Sequence, residues 1–211
     1  MSARLLLDGN HAWAARRTRR DPDCFSRQAG RHQPHSLFIG CSDARVPADR
    51  ITGSDVGEMF VHRNIANQVV ATDNNLLAVV QYAVEVLKVR DIIVCGHEQC
   101  GGVGAALEGQ APSHVEGWLA HVRTVARLHE ADLASITDIA ARRLRLVELN
   151  VREQVGNLSR LPVIREAWAA GRPLQLHGWV YGIFDGLLRD LQVSVTGDGT
   201  NAGIQETRRA G

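Results

Sequence analysis

The run DIIVCG at residues 91 to 96 is apolar and β-branched through its centre and ends in glycine. A segment this short cannot present the stripe of an amphipathic helix, whereas a strand covered on both faces needs such an unbroken run. Two similar segments precede it, HSLFIG at 35 to 40 and EMFVHRN at 58 to 64. Between the second and third runs, NNLLAVVQYAVEVLKV at 74 to 89 places Leu76, Val79, Val80, Ala83, Val84 and Leu87 at helical spacing. Strand, helix and strand in that order predict a right-handed parallel crossover.

Farther along, Val115, Trp118, Leu119, Val122 and Val125 form one helical face. Residues 138 to 158 continue with Leu144, Val147, Val151, Val155 and Leu158. RPLQLHGWVYGIFDGLL at 172 to 188 alternates as a strand, with Gly182 and Gly186 marking a turn or a close approach. The expected architecture is α/β, a mostly parallel central sheet flanked by helices.

The 211 residues suit one domain. Residues 1 to 34 form a polar, arginine-rich arm, with AARRTRRDPD reading as a helix that stops at Asp21-Pro22. Residues 35 to 195 form the core, and the tail 196 to 211 lacks core residues and is expected to be mobile unless it docks on a partner. A net charge of +1 gives no footprint for nucleic acid. The arginines of the arm therefore read as a solvated helix face or as a contact with another subunit. No apolar run approaches a membrane span, and Leu5 to Leu7 are too short a run for a secretory leader. A cytoplasmic protein is expected. Cys24, Cys41, Cys95 and Cys100 are too few and too scattered for a disulfide scaffold, which leaves free thiols or metal ligands.

In an open parallel sheet, ligands gather beyond the carboxyl ends of the strands. Two loops leave such ends, CSDAR at 41 to 45 and GHEQCGG at 96 to 102. If their strands are neighbours, Cys41 comes within reach of His97 and Cys100. Two thiolates and one imidazole suit tetrahedral Zn²⁺, and three protein ligands leave the fourth position open for water. Two thiolates cancel the formal charge of the ion, so it should be a milder Lewis acid than one held by three histidines. Asp43 could then hold a zinc-bound hydroxide by a hydrogen bond, or ligate zinc itself, and Arg45 could hold its carboxylate away from the metal. The alternative for this pair is a salt bridge capping the next helix. Cys95 could replace Cys41 as ligand, but its place inside the apolar run favours a small buried hydrophobe. Gly101 and Gly102 would let backbone come close to the metal and open the next helix.

CSDARV at 41 to 46, GEMFVHRNIANQV at 57 to 69, VVQYAVEVLKVRDIIVCGHEQCGGV at 79 to 103 and LHGWVYGI at 176 to 183 resemble the β-class carbonic anhydrases. The resemblance runs from about Leu37 to Leu188 and implies interconversion of carbon dioxide and bicarbonate at one zinc per chain, bound by Cys41, His97 and Cys100. It implies that Asp43 and Arg45 form the catalytic dyad, with Asp43 as fourth ligand in an inactive state. It adds one antiparallel strand to the sheet and homodimers, or dimers of dimers, with embracing N-terminal helices. The chain looks most similar to the bacterial branch whose noncatalytic bicarbonate pocket uses a tryptophan, an arginine and a tyrosine. The matching positions are Phe38, Arg63 and Tyr181, so the indole donor is replaced by a hydrocarbon ring. Ala44 and Gly182 also depart from the usual serine and aspartate. A related possibility on the same ligands is hydrolysis of carbon disulfide or carbonyl sulfide, and a zinc or thiol module without catalysis is the alternative from another class.

Overall fold

The computed structural model describes residues 2–109 and 111–197. The chain divides into two compact units, residues 1–33 and 34–211. In the first, helix α1 (Ala3–Arg20) begins at Ser2, whose hydroxyl accepts the Leu5 N–H, and none of its residues is buried. A second helix, α2 (Cys24–Ala29), follows the Asp21-Pro22 break. Arg17 lies over the Trp13 ring, and Trp13 meets Phe25 edge to face. The sequence-based helix covers only the latter half of α1, because residues 3 to 13 lack a regular apolar spacing.

The second unit is built on a sheet in the order β2-β1-β3-β4-β5. The strands are β1 (Ser36–Cys41), β2 (Met59–Asn64), β3 (Asp91–His97), β4 (Gln175–Tyr181) and β5 (Leu188–Asp190). The pairs β1–β2, β1–β3 and β3–β4 are parallel, and β5 is added antiparallel to β4. The three apolar runs are the three expected strands, and β1 lies between the other two. The 172 to 188 segment is divided by a turn at 182 to 187, with Gly186 at φ 72, into β4 and β5.

Short helix α3 (Ala48–Thr52) follows β1, and α4 (Asn74–Gln81) follows β2. The helix expected over 74 to 89 does not run straight through: α4 widens into a π turn at Tyr82–Val86, and Lys88 takes φ 58 to bring the chain into β3. Then come α5 (Gly101–Glu108), α6 (Ser113–Leu128), α7 (Glu130–Ala134), α8 (Ile139–Ser159) and α9 (Pro162–Ala169). Among the described residues no helix is long and apolar enough to cross a membrane. The expectation for the tail falls mostly on residues 198–211, outside the described ones. Val195 still pairs with Leu176 in an isolated bridge.

The larger core lies on the helical face, where Leu37, Ile39, Ile92, Val94, Leu176 and Val180 of the sheet meet the helices. The opposite face carries a smaller cluster of Phe38, Ala48, Ile93 and Cys95. Helix α8 crosses β3 and β4 where Gly96 and Gly178 lack side chains. A Cβ on Gly178 would stand 2.5 Å from Val193 and 3.0 Å from Val151, and one on Gly96 would stand 2.7 Å from Val151. The bare strand surface admits α8 to this depth, so filling it must push helix and sheet apart. Gly178→Val is expected to destabilise the protein by about 1–3 kcal/mol through overpacking. A lower urea midpoint with an unchanged denaturant slope would show it.

Candidate metal centre

Because β1 and β3 are adjacent and parallel, Gly40 pairs with Cys95, and both chains leave the sheet at the same end. Cys41 closes β1, His97 closes β3, and Cys100 directly precedes α5. The donor atoms of Cys41, His97 and Cys100 lie within 4.8 Å of one another, all three residues buried. Cys95 does not join this cluster. Its thiol bonds the Gly96 carbonyl inside the smaller core, and burial pushes its pKa up to about 12.

The two sulfurs of Cys41 and Cys100 stand 3.9 Å apart. That is far beyond a disulfide bond, but sulfurs each ~2.3 Å from a tetrahedral zinc would be separated by about 3.8 Å. His97 supplies the third donor in a fixed tautomer. Its Nδ1 is 2.8 Å from the Glu98 carbonyl oxygen, which can only accept, so Nδ1 carries the proton. In the neutral imidazole Nε2 is then a lone pair, and it is buried with no hydrogen-bond partner. A buried orphan acceptor is costly unless something fills its coordination. Two sulfurs and one orphan imidazole nitrogen are the donor set that a metal ion would satisfy.

The thiols are unequal. Cys100 beside it, helped by the backbone N–H groups of Ala66 and Asp43, holds the Cys41 pKa far below the usual thiol range, against the effect of burial. Cys100 faces that thiolate and is itself buried, so its pKa is pushed well up, although the N–H groups of Val103 and Gly102 at the start of α5 oppose this. Gly102 also makes room: a Cβ there would meet Ile65 at 2.8 Å and Ala66 at 3.4 Å.

Asp43 and Arg45 do not cap a helix. Asp43 Oδ1 accepts the Arg45 backbone N–H at 2.9 Å and Nε–H at 3.0 Å, while Oδ2 accepts from Nη2 at 2.7 Å. Those bonds from Arg45 hold the Asp43 carboxyl well below its ordinary pKa. The guanidinium also donates to the Gln99 carbonyl at 3.3 Å, which ties it to the loop between His97 and Cys100. Asp43 Oδ2 is 3.8 Å from His97 Nε2, so the carboxylate stands beside the orphan nitrogen without touching it.

Of the residues expected to form a bicarbonate pocket, Phe38 is fully buried and shares the smaller cluster with Tyr181. Arg63 donates from Nε to the Cys41 carbonyl at 2.8 Å and from Nη2 to the Asp43 carbonyl. It braces the backbone of the 41 to 43 loop.

Sequence reasoning missed Glu98 and Gln99 as parts of the site. The Glu98 N–H bonds the Tyr181 carbonyl at 2.9 Å, and its carboxylate accepts the Ile183 N–H at 3.1 Å. A cavity of ≈ 1030 Å³ beside Cys100 is lined by Glu98, Gln99, Gly101, Arg143 and Phe184 among others. A loop carboxylate between His97 and Cys100 was the available signal for Glu98. Nothing in the spacing marks Gln99, which takes part through its backbone.

An open α/β sheet that carries two buried thiols and an unpaired imidazole beyond its carboxyl edge places the protein among α/β folds able to hold a metal ion at that edge. Comparison narrows the class. The family model described as carbonic anhydrase matches residues 36–188. The chain is 45% identical over 193 residues to a carbonic anhydrase of Emericella nidulans, covering 91% of this chain and 84% of that protein. It is 42% identical over 169 residues to one from Pseudomonas aeruginosa, covering 77% and 75% of the two chains. Its fold is similar to a tetrameric β-carbonic anhydrase of the ascomycete Sordaria macrospora, with TM-score 0.88, 41% identity, and 92% and 98% of the two chains covered. A Coccomyxa β-carbonic anhydrase solved with acetazolamide gives TM-score 0.86 at 36% identity, covering 90% and 86%. The chain belongs to the β-carbonic anhydrases, enzymes whose general reaction is the reversible hydration of carbon dioxide.

Removing one sulfur tests the donor set directly. Cys100→Ser is expected to retain the far-ultraviolet circular dichroism of the wild type while its bound metal after dialysis falls by about tenfold or more. Full metal content in that variant would exclude Cys100 as a ligand.

Proposed function

We propose that the chain hydrates carbon dioxide reversibly to bicarbonate and a proton at one Zn²⁺ held by Cys41, His97 and Cys100. The observation that carries this reading is the convergence of two sulfurs on the buried, unpaired Nε2 of His97. The donor set selects zinc among common divalent ions, being borderline-soft and closely spaced. Zinc so held supplies a Lewis acid and an acidified water.

The chain's own part is to decide what reaches the fourth position. Asp43 gates it: its carboxylate is close enough to swing toward the donors, and the bonds from Arg45 hold it off. Held there, Asp43 is an ionised acceptor that can fix the orientation of a water or of a bicarbonate hydroxyl and receive its hydrogen bond. Arg45 spans the Asp43 loop and the Gln99 carbonyl, so it keeps the gate in register with the ligands. A bicarbonate among Phe38, Arg63 and Tyr181 would find only the remaining Arg63 donors and the tyrosine hydroxyl, because Phe38 has none. Regulation by that route is correspondingly a separate question from catalysis.

The reading requires reduced thiols, and all four cysteines are free, which fits the cytoplasm. It also includes a homodimer or a dimer of dimers. Helix α1 buries none of its residues and exposes Leu5, Leu6 and Leu7 by 58–61%. The similar Sordaria macrospora enzyme is described as tetrameric.

Stopped-flow hydration on the zinc-loaded protein tests the mechanism. Asp43→Asn is expected to lower kcat/KM by about 100-fold or more with zinc content unchanged. Arg45→Gln is expected to lower kcat with zinc retained, since Asp43 loses the partner that holds it away. A zinc-loaded wild type without activity above pH 8, or an Asp43→Asn variant equal to it, sinks the reading. Light scattering is expected to give the mass of two or four chains; a monomer that is fully active rules out the assembly as a requirement.

A further inference from the structure

The segment after β2 is held in an unusual shape beside the donor cluster. Ala66 and Asn67, neither of them glycine, take left-handed conformations with φ 62 and 47. Such backbone persists only where its surroundings impose it. Here the constraint comes from side-chain amides. Asn150 Nδ2 donates to the Ala66 carbonyl at 3.0 Å, and Gln68 Nε2 donates to the same oxygen at 2.7 Å. Asn150 Oδ1 in turn accepts from Gln68 at 2.9 Å and from Gln154 at 3.0 Å. The Val69 N–H is taken by Gln154 Oε1 at 2.8 Å, and Trp118 Nε1 donates to the Ile65 carbonyl at 2.8 Å.

The turn so fixed touches the metal centre on two sides. On one side Asn64, the residue that leads into the turn, pairs with Cys41 across β1 and β2, and its carbonyl accepts the Ser42 N–H at 3.0 Å. The side chains of Ile65 and Ala66 lie against Gly102, in the turn of α5 that follows Cys100. Asn150 is only 1% exposed and lies on α8, in a stripe otherwise given to Val147, Val151 and Val155. A buried amide at that place costs stability unless it serves its partners, and its partners are the Ala66 carbonyl and the two glutamines that surround it.

We propose that Asn150 is a positioning residue for the metal centre: with Gln68 it locks the left-handed turn at Ala66–Asn67, and that turn holds Cys41 and the start of α5 at the separation a metal ion needs. The inference rests on the reading that Cys41, His97 and Cys100 bind a metal. Asn150 touches neither metal nor substrate and acts through one peptide unit.

The test uses full-length protein loaded with zinc, or with cobalt for its thiolate-to-metal absorption. Asn150→Leu, of similar size but without the amide, is expected to release zinc to excess chelator about tenfold or more faster than wild type, and to shift the cobalt band. Adding Ala66→Gly should recover part of the loss, because glycine adopts the left-handed turn without being forced. Val155→Ala, a core truncation on the same helix, should lower the melting temperature and leave zinc release unchanged. Should Asn150→Leu fail to fold, Gln68→Met removes the other donor to the same carbonyl and carries the same expectation. Release and band equal to wild type overturn the proposal, as does equal acceleration by Val155→Ala. A wild type that takes up no cobalt overturns the ligand assignment first, and this inference with it.

Discussion

The parallel pairing of β1 with β3 is the constraint on which the rest depends. Side chains from positions 41 and 97 can meet only if two strands separated by some fifty residues of chain run side by side, in one direction, and end together. A slip of one residue would turn Cys41 to the opposite face of the sheet. The register is protected by burial on both sides: Leu37 and Ile39 face the larger core, Phe38 the smaller one. Each face therefore opposes the slip, and Cys41 and His97 inherit their placement from hydrocarbon packing some distance away.

Electrostatic control is built on a different principle. The Asp43–Arg45 pair lies within one tight loop, where two residues suffice to form a bidentate contact. The guanidinium is 48% exposed, so the pair contributes little to stability, and its value is geometric. Cys41, His97 and Cys100 are buried, whereas the carboxylate that faces them is held by a group at the water boundary.

Much of this could be read from residue order. The strand runs are legible because strands covered on both faces leave an unbroken apolar signature, and the ligand loops because Cys41, Asp43, Arg45, His97 and Cys100 crowd against strand ends. The break in the 74 to 89 helix is not legible, since a π turn keeps the apolar spacing nearly intact while changing the hydrogen bonding. Short helices α3 and α7 escape for want of two full turns of periodicity. The backbone of Ala66 and Gln99 is silent in sequence, because its part is played by peptide groups that every residue carries. Asn150, Gln154 and Asn157 do leave a trace: amides recurring at helical spacing beside Val147, Val151 and Val155 are polar residues where a core stripe calls for hydrocarbon.

The glycine seam under α8 bears on how such an enzyme can be altered. Val151 fits against both Gly96 and Gly178, and the residue before it is Asn150. The depth of the helix in the seam is therefore also the reach of that amide toward Ala66. An engineer seeking a hardier catalyst would look first at such bare glycines as sites for added bulk. In this protein, that choice would lift the helix and carry the amide away from the Ala66 carbonyl it holds, so the shape of that turn would be traded for a fuller core.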